Sequence, residues 1–374
     1  MKAIVHIGSP KAGSSSIQDF LHLNAGRLVE RGVRYCRNVS HRGSQFEYPL
    51  AIMARSGKLI NGETERVRYQ ARTVKEALAG NEKYLNELPR YADRYKEPVA
   101  IFSSEHILPW LNSAPLVKAF DDLFRASFDD VQYVVYFRSP DDALLSQYSE
   151  RVKRGYSQPL EAFVRQRLNG LNILKTASRW ANTVGDDRVQ VRLFGQDLLE
   201  NGDVIDDFCN ACGIDATELQ KPPRVNGSPS APGAECLRIL NGMVPELRPD
   251  GSSNPLRSEL LEAVQALSAD MPRLQLNDKQ RKMVNDLTRE PLEAFHKRFF
   301  PDRAHLFATE RRTHPLTKAE LREQALLITA RLLIKTRMGE LKTLNILERQ
   351  RAYLIDPPAE TTDTADAPKA PASK

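Results

Sequence analysis

A lysine and three consecutive serines near the start of the chain are the residues best suited to chemistry. After the apolar run 3–7 the order is Gly8, Lys11, Gly13, Ser14, Ser15 and Ser16. Backbone N–H groups of such a loop can surround an anion, and the N-terminus of a following helix adds partial positive charge. The pattern therefore predicts a phosphate-binding loop in which Lys11 supplies a full charge. The alternative is an ordinary turn between a strand and a helix.

A second group of anion ligands is predicted farther along the chain. Arg138 follows the apolar run 131–137, and Ser146 comes eight residues later in a segment with a strong helix start. A guanidinium can hold two phosphate oxygens through parallel hydrogen bonds, and a serine hydroxyl can add a third bond. The alternative is that Arg138 pairs with Asp141 or Asp142 at the start of that helix.

Four short apolar runs predict the sheet that would position these residues. The runs are 3–7, 99–102, 131–137 and 189–194. Helical segments separate them, which favours a parallel sheet covered on both faces. The last run alternates with polar residues, so we expect it nearer an edge. Ligands of such sheets bind beyond the carboxyl ends of the strands, where the segments following all four runs should meet.

The fold class predicted is α/β, with a three-layer, P-loop-like parallel sheet flanked by helices and a helical C-terminal extension. The organisation predicted is a core over residues 1–225 with a helical and loop insertion at 41–97, a helical extension over 226–355 and a disordered tail at 356–374. Single helices are predicted over 14–29, 203–212 and 317–347.

Composition limits the class of protein and the choice of partner. The chain has 374 residues, of which 41% are hydrophobic, and a net charge of +6, which favours anionic partners. No run of about 18 apolar residues predicts a membrane span, and residues 1–7 lack a signal segment, so we expect a cytoplasmic protein. Cys209 and Cys212 lack a second ligand pair for zinc. No aromatic–basic motif supports nucleic-acid binding, and His6 is predicted to be a core or loop-support residue.

Two segments resemble PAPS-dependent sulfotransferases. The segment from Pro10 to Ser16 resembles the loop P-K-[ST/A]-G-[ST]-[ST]-[ST] that binds the 5′-phosphosulfate of PAPS, 3′-phosphoadenosine 5′-phosphosulfate. It does not fit G-x-x-x-x-G-K-[ST] of nucleoside triphosphatases. Arg138 and Ser146 resemble the family's 3′-phosphate element. The resemblance implies PAPS as donor and no metal. The implied donor-binding residues are Lys11, Ala12, Gly13, Ser14, Ser15, Ser16, Arg138, Ser146 and Arg224.

The resemblance also implies catalytic roles. Lys11 would stabilise charge on the bridging oxygen of the leaving phosphate. Related enzymes place a His or a Glu base after the second core strand, where this chain has Glu105 and His106. A neutral imidazole accepts protons near pH 7, and a carboxylate does so if burial raises its pKa. Both remain candidates. The alternatives are that Glu105 only holds Lys11 and that His106 caps a helix.

Other features leave the activity open. Residues 224–228 resemble a loop of bacterial members in which Arg224 would add charge near the 3′-phosphate, whereas the late Arg-Lys-Gly motif of the cytosolic enzymes is absent. The acceptor is not evident from the sequence and could be a glycan or a small molecule. Two alternatives are a nucleotide kinase with a modified phosphate loop and a non-catalytic, sulfotransferase-like binding protein.

Overall fold

The structure is a computed structural model that describes most of the chain. The described residues are 1–9, 11–36, 44–223, 229–246, 248, 252, 254–307 and 315–355, with side chains omitted for Thr64, Asn169 and 337–355. Pro10, Arg224 and the tail predicted at 356–374 lie outside these ranges.

A five-stranded parallel sheet forms the centre of the described chain. The strands are β1 (Lys2–His6), β2 (Val33–Tyr35), β3 (Val99–Ser103), β4 (Asp130–Phe137) and β5 (Val189–Leu193). Their order across the sheet is β2-β3-β1-β4-β5. The predicted α/β class is confirmed, as are the four predicted strands and the edge position of the last. Strand β2 was not predicted, because three residues are too short to establish an apolar pattern.

Helices surround the sheet and continue beyond it. They are α1 (Ser14–Leu23), α2 (Ala25–Glu30), α3 (Glu47–Arg55), α4 (Glu63–Arg68), α5 (Val74–Glu87), α6 (Tyr91–Arg94), α7 (Ile107–Trp110), α8 (Ala114–Arg125), α9 (Pro140–Lys153), α10 (Leu160–Arg167), α11 (Ile173–Val184), α12 (Val204–Cys212), α13 (Ala231–Asn241), α14 (Pro255–Leu267), α15 (Asp278–Phe299) and α16 (Lys318–Ile355). No described helix has the length and apolar character that crossing a bilayer would need.

Helix boundaries follow local capping chemistry. The Ser139 hydroxyl accepts a hydrogen bond from the Asp142 amide at 3.2 Å and begins α9, as the sequence predicts. Gly213, at φ 67°, ends α12. The single helix predicted over 14–29 is wrong, because Asn24 separates α1 from α2. Its side-chain amide donates to the carbonyl oxygen of Gln220 at 2.8 Å, a contact that the local sequence cannot reveal.

Alternate residues of β1 and its continuation at Ile7 pack against opposite faces of the sheet and fix the strand that leads into the loop. Val5 and Ile7 lie in the apolar cluster on one face, whereas Ile4 lies with Phe20 of α1 in the cluster on the other. All four side chains are almost fully buried. Burying a side chain of this size contributes about 1.5–3 kcal/mol. The end of β1, and therefore the start of the loop, is held from both sides.

The cysteine pair of α12 has a structural environment. Cys209 is buried and Cys212 is partly buried, and both thiols are free. Burial raises the pKa of the Cys209 thiol to about 12. A thiol with so high a pKa is protonated at neutral pH and is a poor nucleophile. The pair therefore has no feature of a redox site.

Candidate functional site

The loop after β1 is shaped by a close approach to the segment that follows β3. Gly8 has φ 55°, and a Cβ there would lie 2.5 Å from Cα of Glu105, so only glycine fits. Lys11 also has a positive φ, of 63°, a conformation that costs a non-glycine residue about 1–3 kcal/mol. Strained backbone of this kind concentrates at functional sites. The loop backbone is therefore held against the segment that follows β3 at Gly8.

Phe194, just after β5, links the loop to Arg138. A Cβ on Gly13 would lie 2.9 Å from Cε2 of Phe194. The Arg138 guanidinium carbon lies 4.2 Å from the centroid of the same ring, within the range of a cation–π contact. The predicted phosphate loop and the predicted second anion ligand therefore meet on one aromatic ring at the carboxyl edge of the sheet.

Two buried donors at this edge lack a hydrogen-bond partner in the described part of the chain. They are Ser14 Oγ, in the first turn of α1, and Arg138 Nε. Burial lowers the pKa of Arg138, with the Asp142 charge as a weaker opposing influence. No carboxylate among the described residues lies within ion-pair distance of its guanidinium, so the predicted alternative pairing is wrong. An unsatisfied buried donor costs about 1–3 kcal/mol, and both donors here fit an anionic ligand.

The remaining loop residues differ in how far they are buried. Ala12 is fully buried, and its amide already donates to the Ser9 carbonyl at 3.1 Å, so Ala12 packs and shapes the loop. Ser15 and Ser16 are exposed on the first turn of α1. The first N–H groups of a helix have no acceptor within the helix. The amides of this turn are therefore the backbone donors best suited to an anion.

Helix α9 brings another predicted ligand and an unpredicted partner to the loop. Ser146 is half-buried on this helix, and Glu150 follows one helical turn later. The Lys11 ammonium lies 2.5 Å from Glu150 Oε2. The predicted alternative in which Glu105 holds Lys11 is therefore wrong. The pair was missed because nothing in the local sequence connects the loop with α9.

Glu105 lies two residues beyond the end of β3 in a network of hydrogen bonds. Its Oε2 accepts from Gln18 Nε2 and from Ser44 Oγ, each at 3.0 Å, and its Oε1 lies 3.4 Å from His106 Nε2. Burial alone would raise the pKa of Glu105, but the contacts with His106 and Gln18 outweigh it and hold the pKa well below its usual range. Glu105 is therefore ionised at neutral pH and is a weak base.

His106 stands beside an aromatic side chain from the 41–97 segment. Its Nε2 lies 2.8 Å from the hydroxyl of Tyr69. The imidazole stacks on Trp110 with ring centroids 4.4 Å apart. Although His106 precedes α7, its side chain makes no cap hydrogen bond there, so that alternative role is wrong. Tyr69 follows α4, where no pattern marked it as a site residue.

His6 extends the Glu105 network into the core beneath the loop. Its ring is fully buried, and Nδ1 lies 2.9 Å from Ser103 Oγ, which also accepts from Gln18 Nε2 at 3.2 Å. Burial lowers the pKa of His6 to about 4, with the Glu105 charge opposing the shift. His6 is therefore neutral at neutral pH and supports the loop.

Stability is expected to fall as the pH drops from 6.5, the ordinary pKa of histidine, to about 4, the pKa of folded His6. In this window the unfolded chain binds a proton at His6 and the folded chain does not, so protonation favours unfolding. The difference between these two pKa values corresponds to about 3 kcal/mol in the free energy of unfolding. Urea denaturation of the wild type and of His6→Asn, whose amide can replace Nδ1, measures it.

His6→Asn should flatten this pH dependence. His305→Gln is the control, because His305 is exposed and should leave the dependence unchanged. An equal loss of stability in His6→Asn and wild type between neutral pH and about pH 4.5 would assign the effect to other groups.

The arrangement gathers the predicted site residues that the structure describes at one edge of the sheet. Lys11, Gly13 and Arg138 are connected through Phe194 and α9, and Glu105 lies against the loop at Gly8. Within the described ranges, no group of three or more His, Cys, Asp or Glu side chains is arranged to hold a metal ion.

Comparison with known proteins gives distant structural neighbours. Neither the family models nor the curated proteins give a match to this sequence. A sulfotransferase from Alicyclobacillus acidocaldarius is similar over 74% of this chain and 98% of its own, with 14% identity and a TM-score of 0.39. The sulfotransferase domain from the curacin biosynthetic pathway is similar over 77% and 97%, with 12% identity and a TM-score of 0.33. At this distance neither neighbour assigns an activity or a site residue to this chain.

Proposed function

We propose that this protein is a sulfotransferase that moves a sulfuryl group from PAPS to a hydroxyl or amine of an acceptor. The observation that carries the proposal is the shared Phe194 ring. Arg138 stacks on it at 4.2 Å, and the loop packs on it through Gly13. The two proposed anion sites, one with Lys11 and one with Arg138, therefore meet at one ring. This arrangement suits a nucleotide with phosphates at both its 3′ and 5′ positions.

The proposed donor contacts include two buried groups that have no hydrogen-bond partner in the described chain. Ser14 Oγ and the first-turn amides of α1 would bind the 5′-phosphosulfate, together with Lys11. Arg138 Nε and the rest of its guanidinium would bind the 3′-phosphate, with Ser146 adding a hydroxyl. Both Ser14 Oγ and Arg138 Nε are buried donors for which the described residues supply no acceptor, so an anion would satisfy them. Arg224 stays a predicted additional ligand.

The proposed reaction is a displacement at sulfur. The acceptor oxygen or nitrogen forms a bond to sulfur, while the bond from sulfur to the 5′-phosphate oxygen breaks and its electron pair leaves with adenosine 3′,5′-bisphosphate. Lys11 would stabilise the charge on that oxygen. The acceptor proton would pass to His106. Ionised Glu105 would position His106 through Oε1 rather than act as the base itself, because its Oε2 already accepts hydrogen bonds from Gln18 and Ser44.

Replacing His106 by asparagine is expected to lower turnover by about 10²–10⁴-fold, the usual contribution of a general base. Binding of adenosine 3′,5′-bisphosphate should stay within about threefold of wild type, since a base that meets only the acceptor does not touch the product. Glu105→Gln should cost less turnover, because it keeps the neutral hydrogen bonds. A larger loss of turnover in Glu105→Gln than in His106→Asn would mean that Glu105 is the base and His106 positions it.

The acceptor side is proposed to include the 41–97 segment. Tyr69 from this segment contacts His106 at 2.8 Å, so Tyr69 is placed to contact an acceptor that reaches the base. Glycans and small molecules both remain candidate acceptors, the helical extension over 226–355 is proposed to frame their cleft, and a cytoplasmic location stays a prediction.

Incubation with radiolabelled PAPS and a panel of glycans, phenols and amines tests the activity. Transfer of label to at least one acceptor, abolished in Arg138→Met, is the expected result. Binding of the bisphosphate without transfer to any acceptor would favour the non-catalytic alternative.

A further inference from the structure

We propose that Glu150 is a positioning residue that holds the Lys11 ammonium in the donor-free protein and competes with the incoming phosphosulfate for it. This inference rests on the proposed function. The contact between Lys11 Nζ and Glu150 Oε2 is 2.5 Å long. The cation that the loop would offer to an anion is therefore bound to a carboxylate of this chain before any donor arrives.

The electrostatics of Glu150 support a strong hold on Lys11. Its side chain is 23% exposed and that of Lys11 is 40% exposed. Burial would raise the pKa of Glu150, but the hydrogen bond and charge of Lys11 overcome this effect, with help from Arg154 and Lys153. The pKa of Glu150 therefore lies below its usual range, so the carboxylate is charged when the donor enters.

Glu150 can release Lys11 without becoming an isolated charge. Its other oxygen, Oε1, accepts from Arg154 Nε at 3.0 Å. Lys153 is also half-buried nearby, where desolvation and the Lys11 charge lower its pKa. When Lys11 turns toward an anion, its repulsion of Lys153 falls and Arg154 still neutralises Glu150. The site is thus built for an exchange of partners by Lys11.

The position of Glu150 makes the competition direct. It lies one turn after Ser146 on α9, so the carboxylate and a proposed donor ligand project from one side of the helix. An anion in the loop that failed to draw Lys11 away would meet the Glu150 charge. Removing that charge should therefore tighten anion binding, and the gain should be larger while Lys11 is present to respond.

A double-mutant cycle tests this coupling. The affinity for adenosine 3′,5′-bisphosphate is measured by calorimetry in wild type, Glu150→Gln, Lys11→Ala and the double variant. Glu150→Gln should bind about fivefold more tightly than wild type, the upper range for a partly exposed ion pair. In the Lys11→Ala background the same change should have a clearly smaller effect. An equal effect in both backgrounds, or weaker binding in Glu150→Gln, would overturn the inference.

Arg154→Met is a second test variant, and it is expected to change the affinity in the opposite direction to Glu150→Gln. Arg154 is 44% exposed, so its replacement should not prevent folding. Without Arg154, Glu150 depends more strongly on Lys11, and the bisphosphate should bind more weakly, with the effect reduced in the Lys11→Ala background. Tighter binding would contradict the inference. Glu161→Gln is the matched control for Glu150→Gln, because Glu161 forms an i,i+4 ion pair with Arg165 at 3.0 Å on α10. It should leave the affinity unchanged.

A second probe separates this inference from the proposed function. Inorganic pyrophosphate can occupy the loop without the adenosine or the 3′-phosphate. If wild type binds pyrophosphate but not the bisphosphate, the proposed function fails, while the cycle repeated with pyrophosphate still decides the role of Glu150. If wild type binds neither anion, both proposals are wrong.

Discussion

Replacing Arg138 by methionine is expected to weaken binding of adenosine 3′,5′-bisphosphate by about a hundredfold or more. Two hydrogen bonds to a charged phosphate contribute about 1.5–3 kcal/mol each, and the guanidinium is the cation proposed to make both. Its Nε has no hydrogen-bond partner among the described residues, so the loss should fall on binding. Calorimetry with the bisphosphate measures it.

The same substitution should leave the free energy of unfolding unchanged or raise it. Methionine keeps an apolar contact with Phe194 and removes a largely buried charge that lacks a carboxylate partner in the described chain. Replacing a buried charge by an apolar group of similar volume is often neutral or stabilising. A loss of affinity combined with retained stability distinguishes a ligand-binding arginine from a structural one.

Arg192→Met is the matched control for Arg138→Met. Arg192 binds Asp207 through two hydrogen bonds, of 2.5 Å and 2.7 Å, and Asp207 is 2% exposed. Its replacement leaves a buried carboxylate without its cation and should cost about 3–5 kcal/mol of stability. If Arg138→Met instead loses that much stability and retains its affinity, Arg138 is a structural residue and the proposed 3′-phosphate site is wrong.

Replacing Lys11 by alanine is expected to lower turnover by about 10²–10³-fold, the usual cost of removing one donor to a developing charge. The ammonium is proposed to act on the bridging oxygen, where charge increases only as the bond to sulfur breaks. Affinity for the bisphosphate should fall much less, because the charge of Glu150 already offsets part of the Lys11 attraction. Turnover with labelled PAPS and calorimetry with the bisphosphate measure the two effects separately.

Lys118→Ala provides the comparison for Lys11→Ala. Lys118 forms an ion pair with Asp122 at 2.8 Å on the exposed side of α8, and its loss should change neither turnover nor affinity. A turnover in Lys11→Ala within about threefold of wild type would remove Lys11 from the proposed transfer step.

Site residues that lie just after the end of a strand could be predicted from the sequence. The apolar runs predicted four of the five strands, and a parallel sheet brings the carboxyl ends of its strands to one edge. That rule was enough to expect Gly8, Glu105 and Arg138 near one another, and the contacts of Gly8 with Glu105 agree with it. Glycine at positions 8 and 13 was informative because both have a positive φ.

Site residues whose role depends on a contact with a residue far away in the sequence could not be predicted. Helix spacing pairs Glu150 with Arg154 on α9 but says nothing of Lys11, which reaches Glu150 only in the folded chain. Tyr69 belongs to a segment without a clear pattern, and its contact with His106 spans 37 positions. Such contacts depend on tertiary packing, which a single sequence does not encode in local spacing.

Calorimetry with adenosine 3′,5′-bisphosphate, set against ATP with magnesium, tests the central claim most directly. The claim is that Lys11 and Arg138 form one cleft for a nucleotide with phosphates at both its 3′ and 5′ positions. The expected result is binding of the bisphosphate in the presence of a metal chelator, weakened in both Lys11→Ala and Arg138→Met. Tight binding of ATP with magnesium, together with no binding of the bisphosphate, would contradict the claim and favour a kinase.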